Sequence, residues 1–137
     1  EYHKSCNQLI AQLPPHVSVH FLGEVPHNQI RKVLADAHLM ALPTLGENYG
    51  YAIIEALSTA RPILISDQTP WKNLESAKAG WTLPLSEPNQ WIEVLNTTND
   101  WDQSTFELWC RGALDYAKKN TNTEELVEKY RELFKGS

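Results

Sequence analysis

A chain of 137 residues that is 42% hydrophobic and 21% charged has the material for one globular domain with a buried core. No run approaches the roughly eighteen apolar residues of a membrane helix, and the first residues, Glu1-Tyr2-His3-Lys4, show no basic-then-apolar signal-peptide plan. A net charge of −5 with only Arg31-Lys32 and Lys118-Lys119 adjacent argues against a nucleic-acid-binding surface.

In chain order, Cys6, Leu9, Ile10 and Leu13 predict an N-terminal helix. Residues 16–22 (HVSVHFL) alternate like a strand that Gly23 ends, and 26–37 carry Ile30, Val33, Leu34 and Ala37 at helical spacing. Residues 38–42 (HLMAL) predict a second strand, closed by Pro43, and a helix follows from about Tyr49 to Thr59. Residues 62–65 (PILI) are short and apolar enough for a strand covered on both faces. Thr69-Pro70 reads as a helix start, with a hydroxyl N-cap and proline at the first helical position; that helix is expected to reach Ala79. Residues 81–85 (WTLPL) make a last strand.

From about residue 87 the pattern is helical, through Trp91, Val94 and Leu95, then Phe106, Trp109, Ala113, Tyr116 and Ala117, then Leu126, Val127, Tyr130, Leu133 and Phe134. Strands alternating with helices predict an α/β fold, a Rossmann-like parallel sheet with flanking helices and a helical C-terminal tail, in a single domain over 1–137. No strand precedes the first helix, so the chain is expected to be a part of something larger, with its first strands missing.

The stretch GENYGYAIIEAL, residues 46–57, carries the chemistry. Open α/β sheets bind ligands beyond the carboxyl ends of their strands, and residues 43–48 form such a loop. Gly46 and Gly50 let a ligand approach the backbone, and the N–H groups of the first helical turn, from Tyr49, suit a phosphate or diphosphate. Glu55 interrupts an apolar run. Either it is the solvated side of its helix, or it is a buried carboxylate with a dedicated donor, because an unpartnered buried charge costs several kcal/mol. Glu47, eight residues earlier, is separated from it by roughly 80° of helical rotation, so both can flank one elongated ligand. A carboxylate accepts from two sugar hydroxyls at once.

Pro43-Thr44, Glu47, Tyr49-Gly50 and Glu55-Ala56-Leu57, followed by Arg61-Pro62-Ile63-Leu64-Ile65-Ser66-Asp67, resemble the donor-site signature of the family-4 retaining glycosyltransferases. Phe21-Leu22-Gly23-Glu24-Val25 is similar to the strand and loop that border the nucleotide base there, and the likeness covers roughly residues 15–85. It implies one half of a GT-B fold: the C-terminal domain, which holds a UDP- or GDP-sugar and transfers the sugar to an acceptor hydroxyl with retention, in surface polysaccharide or glycolipid synthesis. It implies that Glu47 bonds the transferred sugar and is the catalytic residue, that Asn48, Tyr49, Gly50 and Tyr51 hold the sugar diphosphate, that Glu55 takes the ribose hydroxyls, and that Gly23, Glu24 and Val25 lie against the base.

No cofactor or metal is implied, since helix amides and basic side chains stabilise the leaving diphosphate. The implied partners are the nucleotide sugar and an N-terminal acceptor domain; the implied location is cytoplasmic, at the inner membrane face, with peripheral membrane association of the full protein. The Arg and Lys that grip the diphosphate in that family belong to a segment before residue 1, so the isolated chain is expected to be inactive. The sequence departs from the family's pattern at Ala60, where glycine is usual and a strained helix end is expected, and at Gln68-Thr69-Pro70-Trp71, where a Gly-Gly turn is usual.

His3, His16, His20, His27 and His38 are scattered; His16 and His20 would stand about 13 Å apart on one strand, too far for a shared metal. Cys6 and Cys110 are expected to be free thiols and Trp91 and Trp109 packing residues, whereas Trp71 lies beside the expected crevice. Tyr51, Ile53, Ile54 and Leu57 are expected in the core. The rival reading is a non-catalytic flavodoxin-like interaction domain in which Glu55 is a solvated helix residue.

Overall fold

The computed structural model describes residues 2–46 and 51–120. In chain order it comprises α1 (Tyr2–Ala11), α2 (His27–Ala35), β1 (Met40–Leu42), α3 (Tyr51–Ser58), β2 (Ile63–Ser66), β3 (Gly80–Leu83), α4 (Pro88–Asn99) and α5 (Gln103–Asn120). The three strands form one parallel sheet in the order β1-β2-β3, with Leu42 opposite Ile65 and Ser66 opposite Leu83. The expected α/β class is therefore present, with the central strand β2 buried at all four positions.

The core lies between β2, α3 and α5. Ile53, Leu57, Ile63, Ile65, Leu74, Ala79, Ala113 and Tyr116 meet there, joined at the edge by Leu34, Met40, Leu42 and Trp71. Each large aliphatic side chain removed from water contributes about 1.5–3 kcal/mol, so this cluster dominates the stability of the described chain. Helix α3 is buried from Ile53 through Leu57, so it has no solvated side along that stretch. Arg61, just before β2, ties three elements together. Its Nε and Nη2 donate to the carbonyls of Leu34 (3.1 Å) and Ala35 (2.7 Å), and its Nη1 donates to Ala60 (3.0 Å). A cation on the last carbonyls of α2 satisfies groups that have no partner within the helix.

Three expectations are corrected. Residues 16–22 form no strand; Val17, Val19, Phe21 and Leu22 are all exposed. Alternation makes a strand only where a neighbour completes the ladder, and none of the described residues pairs with this segment. Residues 69–79 form turns, not a helix. Thr69 Oγ1 does accept the Trp71 N–H at 3.3 Å, but Asn73 (φ 60°) and Lys78 (φ 55°) are left-handed and confine the segment to one short turn around buried Leu74. The crossover from β2 to β3 is consequently a loop. Tyr51 is 39% exposed and stands outside the core that Ile53, Ile54 and Leu57 do enter. The expected N-terminal helix is present as α1; it buries no residue, and Leu9 is 65% exposed.

The tail helices α4 and α5 occupy the expected segments, while the third, through Phe134, lies outside the described residues. Trp91 donates to the Pro84 carbonyl at 3.0 Å, and Trp109 stacks on Trp81 with centroids 4.4 Å apart. Both are packing residues. Cys6 and Cys110 are free and half-buried. Ala60 is left-handed at φ 60°, as expected of a helix end built without glycine.

Candidate functional site

The loop leaving β1 is built by its own side chains. Thr44 Oγ1 donates to the Gly46 carbonyl at 2.8 Å and accepts the Gly46 N–H at 3.2 Å, folding the chain back on itself. Ser66, at the carboxyl end of β2, donates its hydroxyl to the Thr44 carbonyl and pins the loop to the neighbouring strand. The carboxyl ends of β1 and β2 are thus fixed side by side at the sheet edge from which α3 departs. Glu47, Asn48, Tyr49 and Gly50 come next in the chain and lie outside the described residues.

Glu55 sits on the second turn of α3 and is only 8% exposed. The burial removes the reading in which it is the wet side of its helix. Its carboxylate Oε1 lies 3.4 Å from Nε of Arg31, a residue of α2 whose side chain is 68% exposed. That separation makes an ion pair but exceeds the usual N–H···O range of about 2.7–3.2 Å, so the carboxylate keeps acceptor capacity for another donor. One turn N-terminal of Glu55, Tyr51 opens α3 at the surface.

Gly23, Glu24 and Val25 lead into α2. Gly23 is left-handed at φ 66°, Glu24 is exposed and Val25 is half-buried. The connection between this segment and Glu55 runs through α2, which starts at His27 and carries Arg31 in its second turn. Arg61 in turn holds the far end of α2 against α5, where its guanidinium lies 5.5 Å from the Phe106 ring centroid and 3.7 Å from Cys110 Sγ. Burial is the main reason the Cys110 thiol titrates above its ordinary value, and Arg61 beside it opposes the shift.

Trp71 is half-buried against the core, its ring centroid 6.1 Å from that of Tyr116, and its indole N–H is buried without a hydrogen-bond partner among the described residues. Thr69 caps a turn here, not a helix. A cleft of about 380 Å³ lined by His38, Ala41, Leu95, Trp101, Asp102 and Phe106 lies beside β1 and the junction of α4 with α5. Glu55, Tyr51 and the 23–25 segment all stand apart from it.

Sequence reading gives Arg31, Arg61 and Ser66 no individual role, although Arg61 and Ser66 stand within the quoted signature. Patterning assigns Arg31, with Lys32, to the solvated side of a helix, which its exposure supports. The available signal is the demand of Glu55 itself, because an acid buried in an apolar helix needs a cation from a neighbouring element.

A family model described as glycosyl transferases group 1 matches residues 1–98. The chain is 30% identical over 67 residues to the O-antigen chain mannosyltransferase RfbU of Salmonella typhimurium, covering 49% of the chain and 19% of that protein. It is 28% identical over 137 residues to the D-inositol 3-phosphate glycosyltransferase of Corynebacterium urealyticum, covering 95% of the chain and 31% of that protein. The chain therefore spans less than a third of the length of either relative.

Proposed function

The chain belongs to the glycosyl transferases group 1 family, and from that premise we propose that it is the donor-binding domain of a retaining glycosyltransferase of family 4. In this reading it is the C-terminal half of a GT-B enzyme that holds a UDP- or GDP-sugar. The observation that carries it is Glu55: a carboxylate 8% exposed, on the helix that follows the carboxyl end of β1, with acceptor capacity left over from its ion pair. That is where an open α/β sheet binds its ligand, and a carboxylate there suits the vicinal hydroxyls of a ribose.

Glu47 then bonds the transferred sugar and acts as the catalytic residue. Asn48, Tyr49, Gly50 and Tyr51 hold the sugar diphosphate, with the amides at the start of α3 facing the charge that grows as the glycosidic bond breaks. Gly23, Glu24 and Val25 line the base. The sugar leaves its diphosphate and joins an acceptor hydroxyl arriving on the same face, so the anomeric configuration is retained. No metal is needed for this step, because main-chain amides and basic side chains balance the leaving group. An N-terminal domain of the full protein binds the acceptor.

One relative is named for the O-antigen chain and the other for D-inositol 3-phosphate, so their names agree on glycosyl transfer and on nothing finer. Surface polysaccharide or glycolipid synthesis, at the cytoplasmic face of the membrane, is the corresponding role. The association proposed for the full protein is peripheral; among the described residues no helix is long and apolar enough to cross a membrane.

Calorimetry with UDP and with GDP on the full-length protein tests the reading. One of the two nucleotides binds without added metal, and Glu55→Ala weakens that binding about tenfold or more, as the loss of hydrogen bonds to a charged acceptor requires. Equal affinity of the two proteins removes the ribose from Glu55. Glu47→Ala lowers turnover more than nucleotide affinity; an unchanged rate removes Glu47 from the sugar.

A further inference from the structure

From the pairing of Arg31 with Glu55 we infer that Arg31 is a positioning residue, which sets how sharply the site distinguishes a ribose from a sugar that lacks one of its two hydroxyls. The inference rests on the donor-binding reading and adds to it a residue from a different element.

Glu55 is embedded in a helix whose neighbours Ile53, Ile54, Ala56 and Leu57 are all at or below 2% exposed, so little around its carboxylate can solvate it. A buried carboxylate needs a partner for its charge, and one whose oxygens are held in place can accept two hydroxyl donors at once. Arg31 meets that requirement from outside the core. Its Nε lies 3.4 Å from Oε1, while most of its side chain stays in water.

A two-nitrogen clamp would occupy both carboxylate oxygens; contact by a single nitrogen at one oxygen restrains the group and leaves it able to accept. The restraint has a firm base. Arg31 lies on α2, and the end of α2 is held by Arg61 through the Leu34 and Ala35 carbonyls. Arg31 thereby joins the expected base-bordering segment, which runs into α2, to the expected ribose acceptor on α3.

The test compares a ribonucleoside diphosphate with its 2′-deoxy counterpart, UDP against 2′-deoxy-UDP or GDP against 2′-deoxy-GDP, by calorimetry on the full-length protein. Wild type is expected to favour the ribonucleotide about tenfold, the effect of one hydrogen bond to a charged acceptor. Glu55→Ala brings the ratio to about one. Arg31→Ala lowers the ratio several-fold, and Arg31→Lys recovers part of it, since an ammonium restores the charge but not the planar nitrogen. Thermal unfolding of each variant accompanies the titrations.

Arg31→Gln, which keeps much of the length and loses the charge, substitutes for Arg31→Ala should the latter not fold. Damage that is merely structural weakens both nucleotides equally and leaves the ratio at its wild-type value. An unchanged ratio in the Arg31 variants, with Glu55→Ala at one, overturns the role of Arg31 and leaves the ribose reading intact. A wild-type ratio of one, or a ratio that survives Glu55→Ala, overturns the ribose reading and this inference with it.

Discussion

Gly112 of α5 lies directly under the Lys78 carbonyl, so close that a Cβ on Gly112 would stand 2.3 Å from that oxygen and 2.6 Å from the Ala77 carbonyl. The contact seats α5 on the crossover loop between β2 and β3, in which Lys78 is left-handed. Intrinsic helix propensity alone makes Gly112→Ala stabilising by about 1 kcal/mol. The clash is with the main chain of Ala77 and Lys78 and outweighs that gain, since forcing atoms into a packed contact costs roughly 1–3 kcal/mol or more. Urea denaturation is expected to show Gly112→Ala less stable than wild type by about 2 kcal/mol. A more stable variant would mean that α5 stands further from the loop.

Ala60 presents the opposite case. Its φ of 60° places an L-residue in the left-handed region at the C-terminal end of α3, where the Ala60 N–H closes onto the Leu57 carbonyl at 3.0 Å and the Arg61 N–H onto the Ala56 carbonyl at 2.9 Å. Both bonds need that backbone turn. A left-handed alanine costs about 1–2 kcal/mol, whereas a glycine's greater freedom in the unfolded chain costs about 0.4–1 kcal/mol. Ala60→Gly is therefore expected to raise stability by about 0.5–1 kcal/mol, read from the denaturation midpoint at unchanged slope. A fall in the midpoint would sink this assignment of strain.

Much of the fold is legible in local pattern, and the misreadings share a cause. Residues 40–42, 63–66 and 80–83 pair with one another, so their apolar runs and their ladder agree. Residues 16–22 have an equally good alternation and no described partner, and alternation alone does not supply the neighbour that a ladder needs. The Thr69-Pro70 signal gives a true cap and a false helix, because a cap fixes only the first turn and the left-handed Asn73 ends the helical path directly after it.

In the candidate site, the anomaly of Glu55 is legible because an acid inside an apolar run stands out against its own neighbours. Arg31 is not, because it is exposed on a polar helix and only tertiary packing brings it within 3.4 Å of Glu55. Glu47, Asn48, Tyr49 and Gly50 lie outside the described residues.

Arg61 holds the end of α2 through two main-chain acceptors, Leu34 at 3.1 Å and Ala35 at 2.7 Å, and also reaches Ala60 at 3.0 Å. Hydrogen bonds from a charged donor contribute about 1.5–3 kcal/mol where they are not replaced by water. Part of this guanidinium is open to solvent, which lowers the sum. Arg61→Ala is expected to cost about 2–3 kcal/mol. Arg61→Lys recovers less than half of that, because an ammonium cannot reach carbonyls lying in different directions from one fixed plane. Equal stability of wild type and Arg61→Ala would show that α2 is held by its apolar face alone.

Asp102 gives the molecule a titration with a defined sign. Its Oδ1 accepts the Thr105 N–H at 2.7 Å at the start of α5, and that backbone hydrogen bond, followed by one from the Thr105 side chain, holds its pKa below the ordinary 3.8. A carboxylate with a depressed folded-state pKa binds fewer protons folded than unfolded. The stability it contributes is thus fully present above 3.8 and is lost as pH falls through the folded-state value. Asp102→Ala is expected to be less stable than wild type at neutral pH, with the difference shrinking as the acid limb is entered below about pH 4. Asp102→Asn keeps an uncharged acceptor for the same N–H, so it retains part of the cap and flattens that limb. Urea midpoints of the three proteins at neutral and acid pH decide the matter: a difference between wild type and Asp102→Ala that stays constant with pH would mean that the carboxylate's charge plays no part in starting α5.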